Sequence, residues 1–237
     1  MGKQKGVYLA GKAGNVLYYS WKSIACERII PARVYQSPAV VTHKNANGLS
    51  TTMGGSFRRL LADVIPFPKN MHMQTAVRLA LLKWLKSGPV PLQPPTEIPY
   101  ISAISFNEAV VFKKCLHVPL TVSVKEQNGL TVHFPGITPT AVFTAPSASD
   151  HMLIKLAAAC CNMHTGEALQ NSMRHITIPY NAETMPAQTI PLPLEMPADS
   201  ITIVAAAIEY FTITNGKASL VSNEHFRPSQ VIGGLVN

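Results

Sequence analysis

Two Asn-Gly dipeptides, each set between alternating apolar and polar residues, constrain the fold of the C-terminal half most strongly. Asn128-Gly129 separates LTVSVKEQ from LTVHF, and Asn215-Gly216 lies within YFTITNGKASLV. Asn-Gly supplies the positive φ angles of a two-residue hairpin turn, and alternation is typical of a strand. Further strands are predicted over Met152–Ala159, Met173–Ile178 and Ile201–Ile208. The pattern predicts an immunoglobulin-like β-sandwich, either one large or two small.

The chain just before these strands is also predicted to be extended. Ile101–Phe106 and Ala109–Lys114 are rich in apolar and β-branched residues and are interpreted as two more strands. The alanine run Ala157–Ala159 is compatible with a helix, but the alternation that begins at Met152 favours a strand.

A proline-rich segment separates this β-type sequence from what precedes it. Ser87–Pro99 contains five prolines and is predicted to be an extended linker. We therefore expect a basic N-terminal strand and two-helix region at 1–86, a linker at 87–99 and a β-sandwich region at 100–237. The last region could also divide into 100–147 and 148–237. The predicted fold class is α+β, mostly β.

Two helices are predicted before the linker. Phe57, Leu60, Leu61 and Val64 have the i, i+3, i+4, i+7 spacing of one helical face. A second helix is predicted to start at Asn70, with one broad apolar face formed by Met73, Val77, Ala80, Leu81, Trp84 and Leu85. The preceding segment, Pro31–Ser50, contains an Asn47-Gly48 turn signal and is predicted to be a connection with one short extended piece.

The opening segment, Gly2–Ile30, is divided by glycines and then becomes aromatic. The strand predicted after Gly14 extends to Ile24 and is apolar on both faces, which favours cover on both sides, from the same chain or from a neighbouring copy. The alternative is an internal hairpin with solvated lysines. The residues predicted to contact a neighbouring subunit are Gly6, Tyr8, Gly11, Gly14, Val16, Tyr18, Tyr19 and Trp21.

The charge is unevenly distributed. Residues 1–86 hold thirteen Lys or Arg and two acidic residues, a net charge of +11, whereas residues 87–237 hold seven and ten, a net charge of −3. Such asymmetry indicates nucleic acid, an anionic surface or the acidic part of another copy as partner. The predicted basic surface comprises Lys3, Lys5, Lys12, Lys22, Arg58, Arg59, Arg78 and Lys83.

No motif of a known catalytic or cofactor site occurs in the chain. There is no GxSxG, HExxH or Walker loop, and the four cysteines lack paired CxxC spacing. We therefore predict no cofactor, no enzymatic activity and no metal, with Cys160, Cys161 and His164 as weak candidates for metal ligands. Free thiols fit a reducing compartment.

The sequence contains no run of eighteen apolar residues and no apolar stretch after MGKQKG that would make a signal peptide. We expect no membrane span. Localisation is left open, with cytoplasmic synthesis followed by release or non-standard export as one route.

The segment GKAGNVLYYSWKSI, followed by a basic stretch, helices through Trp84 and then strands, resembles an uncharacterised family common in Bacteroidota, a domain of unknown function. The residues that carry the resemblance are Gly11, Gly14, Val16, Trp21 and Lys22. Members of that family end in an immunoglobulin-like portion, to which Asp150–Val236 is similar. The resemblance implies an architecture and no assigned activity.

Together these features predict a structural, self-assembling protein, the subunit of a homopolymeric filament, tube or particle that uses its N-terminal arm for contacts between subunits. The alternative is a nucleic-acid-binding protein that uses the basic N-terminal half. A second alternative is an enzyme or carbohydrate-binding sandwich without a visible motif.

Overall fold

A computed structural model describes residues 3–5, 8–30, 37–67, 71–87, 98, 101–102, 104–125, 129–221 and 224–237. The chain forms two compact units, Met1–His43 and Lys44–Asn237. The fold is mostly β, with several antiparallel sheets, as the sequence predicts. Among the described residues, no helix has the length and apolar character needed to cross a lipid bilayer.

The bounds of the elements are as follows. The first strands are β1 (Lys3–Lys5), β2 (Tyr8–Ala13), β3 (Val16–Trp21) and β4 (Ile24–Ile29). The helices are α1 (Pro38–Leu60), α2 (His72–Ser87), α3 (Phe112–Cys115) and α4 (Pro139–Val142), with 3₁₀ turns at Ala62–Val64 and Glu224–Phe226. The remaining strands are β5 (Thr121–Lys125), β6 (Gly129–Phe134), β7 (His151–Asn162), β8 (Ala168–Pro179), β9 (Gln188–Leu192), β10 (Ser200–Thr214), β11 (Lys217–Leu220) and β12 (Ser229–Val236).

The second unit is built around a five-stranded antiparallel sheet. Its order is β11-β10-β7-β8, and β12 pairs with the first half of β10. A separate three-stranded sheet, β5-β6-β9, shares an apolar cluster with one face of the large sheet. The helices α1 and α2 share a second cluster with the opposite face. The large sheet is therefore the middle layer of three.

Alternation along the two central strands explains how this sheet is buried on both faces. On β7, Ile154 and Leu156 belong to the cluster with the small sheet, whereas Ala157 and Ala159 belong to the cluster with the helices. Strand β10 divides its residues in the same way. Successive side chains of a strand point to opposite faces, so two buried faces require a continuous apolar run. The strand prediction for Ala157–Ala159 is confirmed.

Helix α1 corrects the prediction of a connection over Pro31–Ser50, of which Pro31–Gln36 lie outside the described residues. The helix begins at Pro38, where proline needs no N–H partner, and the Ser37 hydroxyl accepts a hydrogen bond from the Val40 amide at 3.3 Å. The turn signal at Asn47-Gly48 is overridden because the apolar face of α1 is buried against the sheet.

Glycine at position 54 permits the close approach of α1 and α2. A Cβ atom there would lie 3.2 Å from the Gln74 carbonyl oxygen and 3.3 Å from the Arg78 Cβ. The buried residues of α2 are Met73, Val77, Leu81, Trp84 and Leu85, whose helical spacing brings them to one face. The predicted cap, Asn70, lies outside the described residues.

The strands predicted at Ile101–Phe106 and Ala109–Lys114 are wrong. The first contributes only an isolated bridge between Ser105 and Gln230, and the second contains the short helix α3. The buried Asn107 explains the break, since its Oδ1 accepts a hydrogen bond from the Ala109 amide at 2.9 Å, and its Nδ2 donates to the Arg227 carbonyl at 2.9 Å. A side chain that bonds the backbone two residues later favours a turn over a strand.

The division between the two compact units, at His43 and Lys44, falls within α1, because α1 and α2 share their core with the sheet that follows the proline-rich segment. The predicted linker at 87–99 stays a prediction. Apart from the buried Ile98, residues 88–100 lie outside the described residues. Prolines in a sequence predict a linker, but they do not show whether the elements on its two sides pack together.

Candidate subunit interface

The N-terminal sheet is an antiparallel meander of β1 to β4. The β2–β3 turn has positive φ only at its first central residue, Gly14 (φ 60°), as in a type II′ turn. The β3–β4 turn has positive φ at both central residues, Lys22 (49°) and Ser23 (65°), as in a type I′ turn. The predicted strand after Gly14 is β3, and it stops at Trp21, earlier than the sequence indicates.

Strand pairing collects aromatic, aliphatic and basic side chains on one face of this sheet. Trp21 pairs with Ile24, Tyr19 with Cys26, and Leu17 with both Arg28 and Lys12. Residues directly opposite each other in an antiparallel pair share a face. We call this the aromatic face; its described residues are Lys12, Leu17, Tyr19, Trp21, Ile24, Cys26 and Arg28. Val16, Tyr18 and Gly11 lie on the opposite face.

The apolar side chains of this sheet are exposed. Trp21 is 63% exposed, Ile24 65% and Ile29 73%. Within residues 10–30, where side chains are described, none is buried. The sequence predicts cover for both faces of β3, from the same chain or from another copy, and the N-terminal sheet by itself supplies none. Gly6 lies outside the described residues, as does the side chain of Tyr8.

The predicted basic residues are divided between the two units. Lys12 and Lys22 are exposed on the N-terminal sheet, whereas the side chains of Lys3 and Lys5 lie outside the description. The others belong to α1 and α2, and three of their guanidinium groups bond to other helix residues. Arg58 donates to the Gln74 amide oxygen at 3.4 Å, Arg59 to the Ser56 hydroxyl at 3.3 Å and Arg78 to the Asn47 amide oxygen at 3.1 Å; Lys83 is exposed on α2.

The structure separates the three weak metal candidates. Cys160 and Cys161 are both buried on β7, but they belong to the two different apolar clusters on opposite faces of the sheet. His164 lies in the following turn, 3.5 Å from Asp199. Burial raises the pKa of the Cys161 thiol to about 12 and that of Cys115 to about 11, so both thiols stay protonated near neutral pH. The described residues contain no group of three or more His, Cys, Asp or Glu side chains placed to hold a metal ion.

A cleft of 340 Å³ at the start of β8 was not predicted from the sequence. It is lined by Leu169, Gln170, Glu195, Met196 and Pro197. Gln170 and Glu195 tie its two sides together, since the Gln170 Nε2 donates to the Glu195 carboxylate at 3.4 Å and the Glu195 amide donates to the Gln170 Oε1 at 3.2 Å. About 25 residues separate its two walls along the chain, and no local pattern marks either wall.

Comparisons with protein-family models, with curated proteins and with solved structures found no match for this chain.

Proposed function

We propose that the protein is a structural, self-assembling subunit of a homopolymeric filament, tube or particle, and that its N-terminal sheet makes the contact between subunits. The observation that carries this proposal is the exposure of Trp21 and Ile24 on the aromatic face, and of Ile29 on the opposite face, of a sheet in which no described side chain is buried. An apolar surface of this kind on a soluble domain commonly marks an interaction site. The proposal includes no enzymatic activity.

The size of the N-terminal sheet supports the proposal. Its strands are three to six residues long, and small sheets need an apolar layer packed on them for stability. Burying Trp21 and Ile24 against another copy would contribute about 1.5 to 3 kcal/mol per side chain. That gain is larger than the contribution of a typical exposed ion pair, about 0 to 1 kcal/mol.

Charge supports a second copy as the partner. The first unit contains six Lys or Arg and one acidic residue, a net charge of +5, and the second unit has a net charge of +3, with its acidic excess confined to residues 87–237 at −3. A basic first unit therefore finds acidic side chains on another copy of the same chain. We also retain as proposals the family resemblance and an immunoglobulin-like arrangement of residues 100–237, for which the two antiparallel sheets around one apolar cluster are the support.

Light scattering and negative-stain microscopy of the full chain test the proposed function. The wild type should form large, regular assemblies, and the double variant Trp21→Ser/Ile24→Ser should not, although its second unit stays folded by far-UV circular dichroism. Val124→Ser is the matched control, because Val124 is an exposed strand residue (56%) of the second unit. A wild type that stays monomeric at all accessible concentrations would refute the proposal.

Nucleic acid is a second candidate partner, favoured by one feature of the aromatic face. Lys12 and Arg28 lie on the same face as Tyr19 and Trp21, which combines phosphate-binding charges with rings on which bases can stack. Binding of single-stranded oligonucleotides should then weaken steeply as salt is raised. A flat response, or equal binding by Lys12→Ser/Arg28→Ser, would reject this candidate.

A further inference from the structure

We propose that the cleft at the start of β8 is the receiving site for the β3–β4 hairpin tip of a second copy, with Trp21 and Ile24 against its apolar residues and Lys22 beside Glu195. This inference rests on the proposed function, because it identifies the surface that the N-terminal sheet contacts. The occupant is a second copy of this chain.

The apolar part of the cleft fits a large side chain. Leu169 is the extra residue of a β-bulge, since Cys160 pairs with Gln170 and Cys161 with Ala168. The side chain of a bulged residue points away from the direction it would have in a regular strand, and Leu169 is 41% exposed. Met196 and Pro197 line the cleft together with it. A volume of 340 Å³ is sufficient for an indole ring, and Trp21 is the exposed indole of the chain's described part.

The cleft has one acidic lining residue, and two more carboxylates lie close to its walls along the chain. Glu195 lines it, Glu167 lies two residues before Leu169, and Asp199 lies two residues after Pro197. All three carboxylate side chains are exposed. The His164 Nε2 lies 3.5 Å from the Asp199 carboxylate. The Arg59 guanidinium donates to the Ser56 hydroxyl, and that hydroxyl donates to the Gly166 carbonyl.

The hairpin tip has the complementary composition. Trp21, Lys22, Ser23 and Ile24 form the β3–β4 turn and its closing pair, so two exposed apolar side chains flank one exposed cation. The cleft offers the reverse arrangement, an apolar surface beside exposed carboxylates. Strand β8, which borders the cleft, pairs among the described strands with β7 alone and is thus an edge strand that an incoming hairpin can approach.

The hairpin tip, which is the donor surface, and the cleft, which is the acceptor surface, are different parts of the chain, so the contact is head-to-tail. A copy that inserts its hairpin tip into a neighbour keeps its own cleft free for the next copy. Contacts of this type generate a ring if the rotation closes and an open polymer if it does not.

Charge exchange tests the predicted contact between Lys22 and Glu195. Lys22→Asp and Glu195→Lys should each raise the dissociation constant for subunit association about threefold to tenfold. The double variant Lys22→Asp/Glu195→Lys should recover most of the wild-type affinity. Lys217→Asp is the matched control, because Lys217 is an exposed cation that follows a different hairpin turn. If the loss of binding free energy in the double variant equals the sum of the losses in the two single variants, the assignment is overturned.

Mixing two full-length variants tests the head-to-tail geometry. Trp21→Ser disables the donor and Leu169→Lys the acceptor, so each variant alone should be monomeric by light scattering. An equimolar mixture should form a dimer that does not grow, since each such pair retains one intact contact. A mixture that stays monomeric would overturn the proposal.

The same variants separate this inference from the proposed function. If Trp21→Ser abolishes assembly while Leu169→Lys and Glu195→Lys assemble like the wild type, the N-terminal sheet is a contact but the cleft is not its receiving site. If the wild type does not assemble, both proposals fail. Unchanged melting temperatures of the second unit would exclude misfolding as the cause of any loss.

Discussion

Lys22 and Ser23 adopt the left-handed backbone conformation that glycine accepts most easily. Their φ values are 49° and 65°, and a side chain in this region costs about 1 to 2 kcal/mol per residue. Asn215-Gly216, with φ values of 52° and 73°, forms the same type of turn from residues that favour it. The hairpin at Asn215-Gly216 was therefore predictable from sequence, whereas Lys-Ser carries no turn signal and the strand was predicted to continue.

Ser23→Gly should stabilise the β3–β4 hairpin by about 0.5 to 1 kcal/mol, because glycine removes the strain of a side chain at positive φ. Hydrogen exchange of the Ile24 amide in dilute, unassembled protein measures the effect as slower exchange. Ser20→Gly is the control of opposite sign, because Ser20 lies inside β3, where glycine weakens a strand. Faster exchange in Ser23→Gly would contradict the turn assignment.

Cys161 should make the stability of the fold sensitive to alkaline pH. Burial raises the pKa of its thiol from the ordinary 9.0 to about 12, so the unfolded chain ionises before the folded chain does. The stabilisation from the protonated thiol is complete below pH 9 and is lost as the pH rises from 9 through about 12. The free energy of unfolding, measured in urea, should therefore fall less between pH 8 and pH 10 for Cys161→Ala than for the wild type, by about 1 kcal/mol. A difference equal to that of the wild type would contradict this prediction.

At the scale of the elements, the crossing of α1 and α2 depends on one of two adjacent glycines. A Cβ at position 54 would lie 3.2 Å from the Gln74 carbonyl oxygen, whereas at position 55 the nearest atom, the Gln74 Nε2, is 3.8 Å away. The first distance is tighter than ordinary contact and involves backbone, which cannot move without shifting the helix.

Gly55→Ala should stabilise the protein by about 0.5 to 1 kcal/mol, because alanine is the better helix former and its methyl group fits. Gly54→Ala should lose that gain, and its free energy of unfolding should be lower than that of Gly55→Ala. Thermal and urea unfolding of the two variants side by side make the comparison. Equal stabilisation by both would show that the helices separate without cost.

Local pattern predicted the buried face of α2 and the strands β7 and β10, because regular apolar spacing determines which side chains can share a face. It did not predict the start of α1, where Ser37 and Pro38 supply a helix N-terminus inside a glycine- and threonine-rich stretch. Poor helix formers there are compensated by burial of Met53 and Phe57, and that burial depends on a sheet formed a hundred residues later.

At the scale of the whole molecule, the two units should differ in local stability. The described side chains of residues 10–30 include no buried one, whereas β7 and β10 are buried on both faces. In unassembled protein, amides of β2 to β4 should exchange hydrogen much faster than those of β7 and β10. Assembly should then slow exchange in β3 and β4. Protection of the N-terminal sheet that does not change with protein concentration would contradict its role as a contact.

The cleft at the start of β8 depends on how distant parts of the chain come together, so it could not be predicted from sequence. Leu169 and Met196 come together only because β7 and β8 pair with a bulge and the chain after β9 returns to that corner. The charge asymmetry is visible in the sequence, but the position of Glu195 beside Leu169 and Met196 in one cleft depends on this topology.

The sheet that is buried on both faces has a consequence for folding kinetics. In a strand that is buried on one face, a register slip of one residue moves the apolar side chains to the exposed face. The segment from Ala157 to Cys161 is apolar on both faces, so the same slip would leave apolar side chains on both buried faces. The ion pair between Lys155 and Glu209, 2.9 Å across β7 and β10, is a polar contact that a slip of one residue would break. Glu209→Leu should thus allow register-shifted species during refolding, visible as additional slow phases.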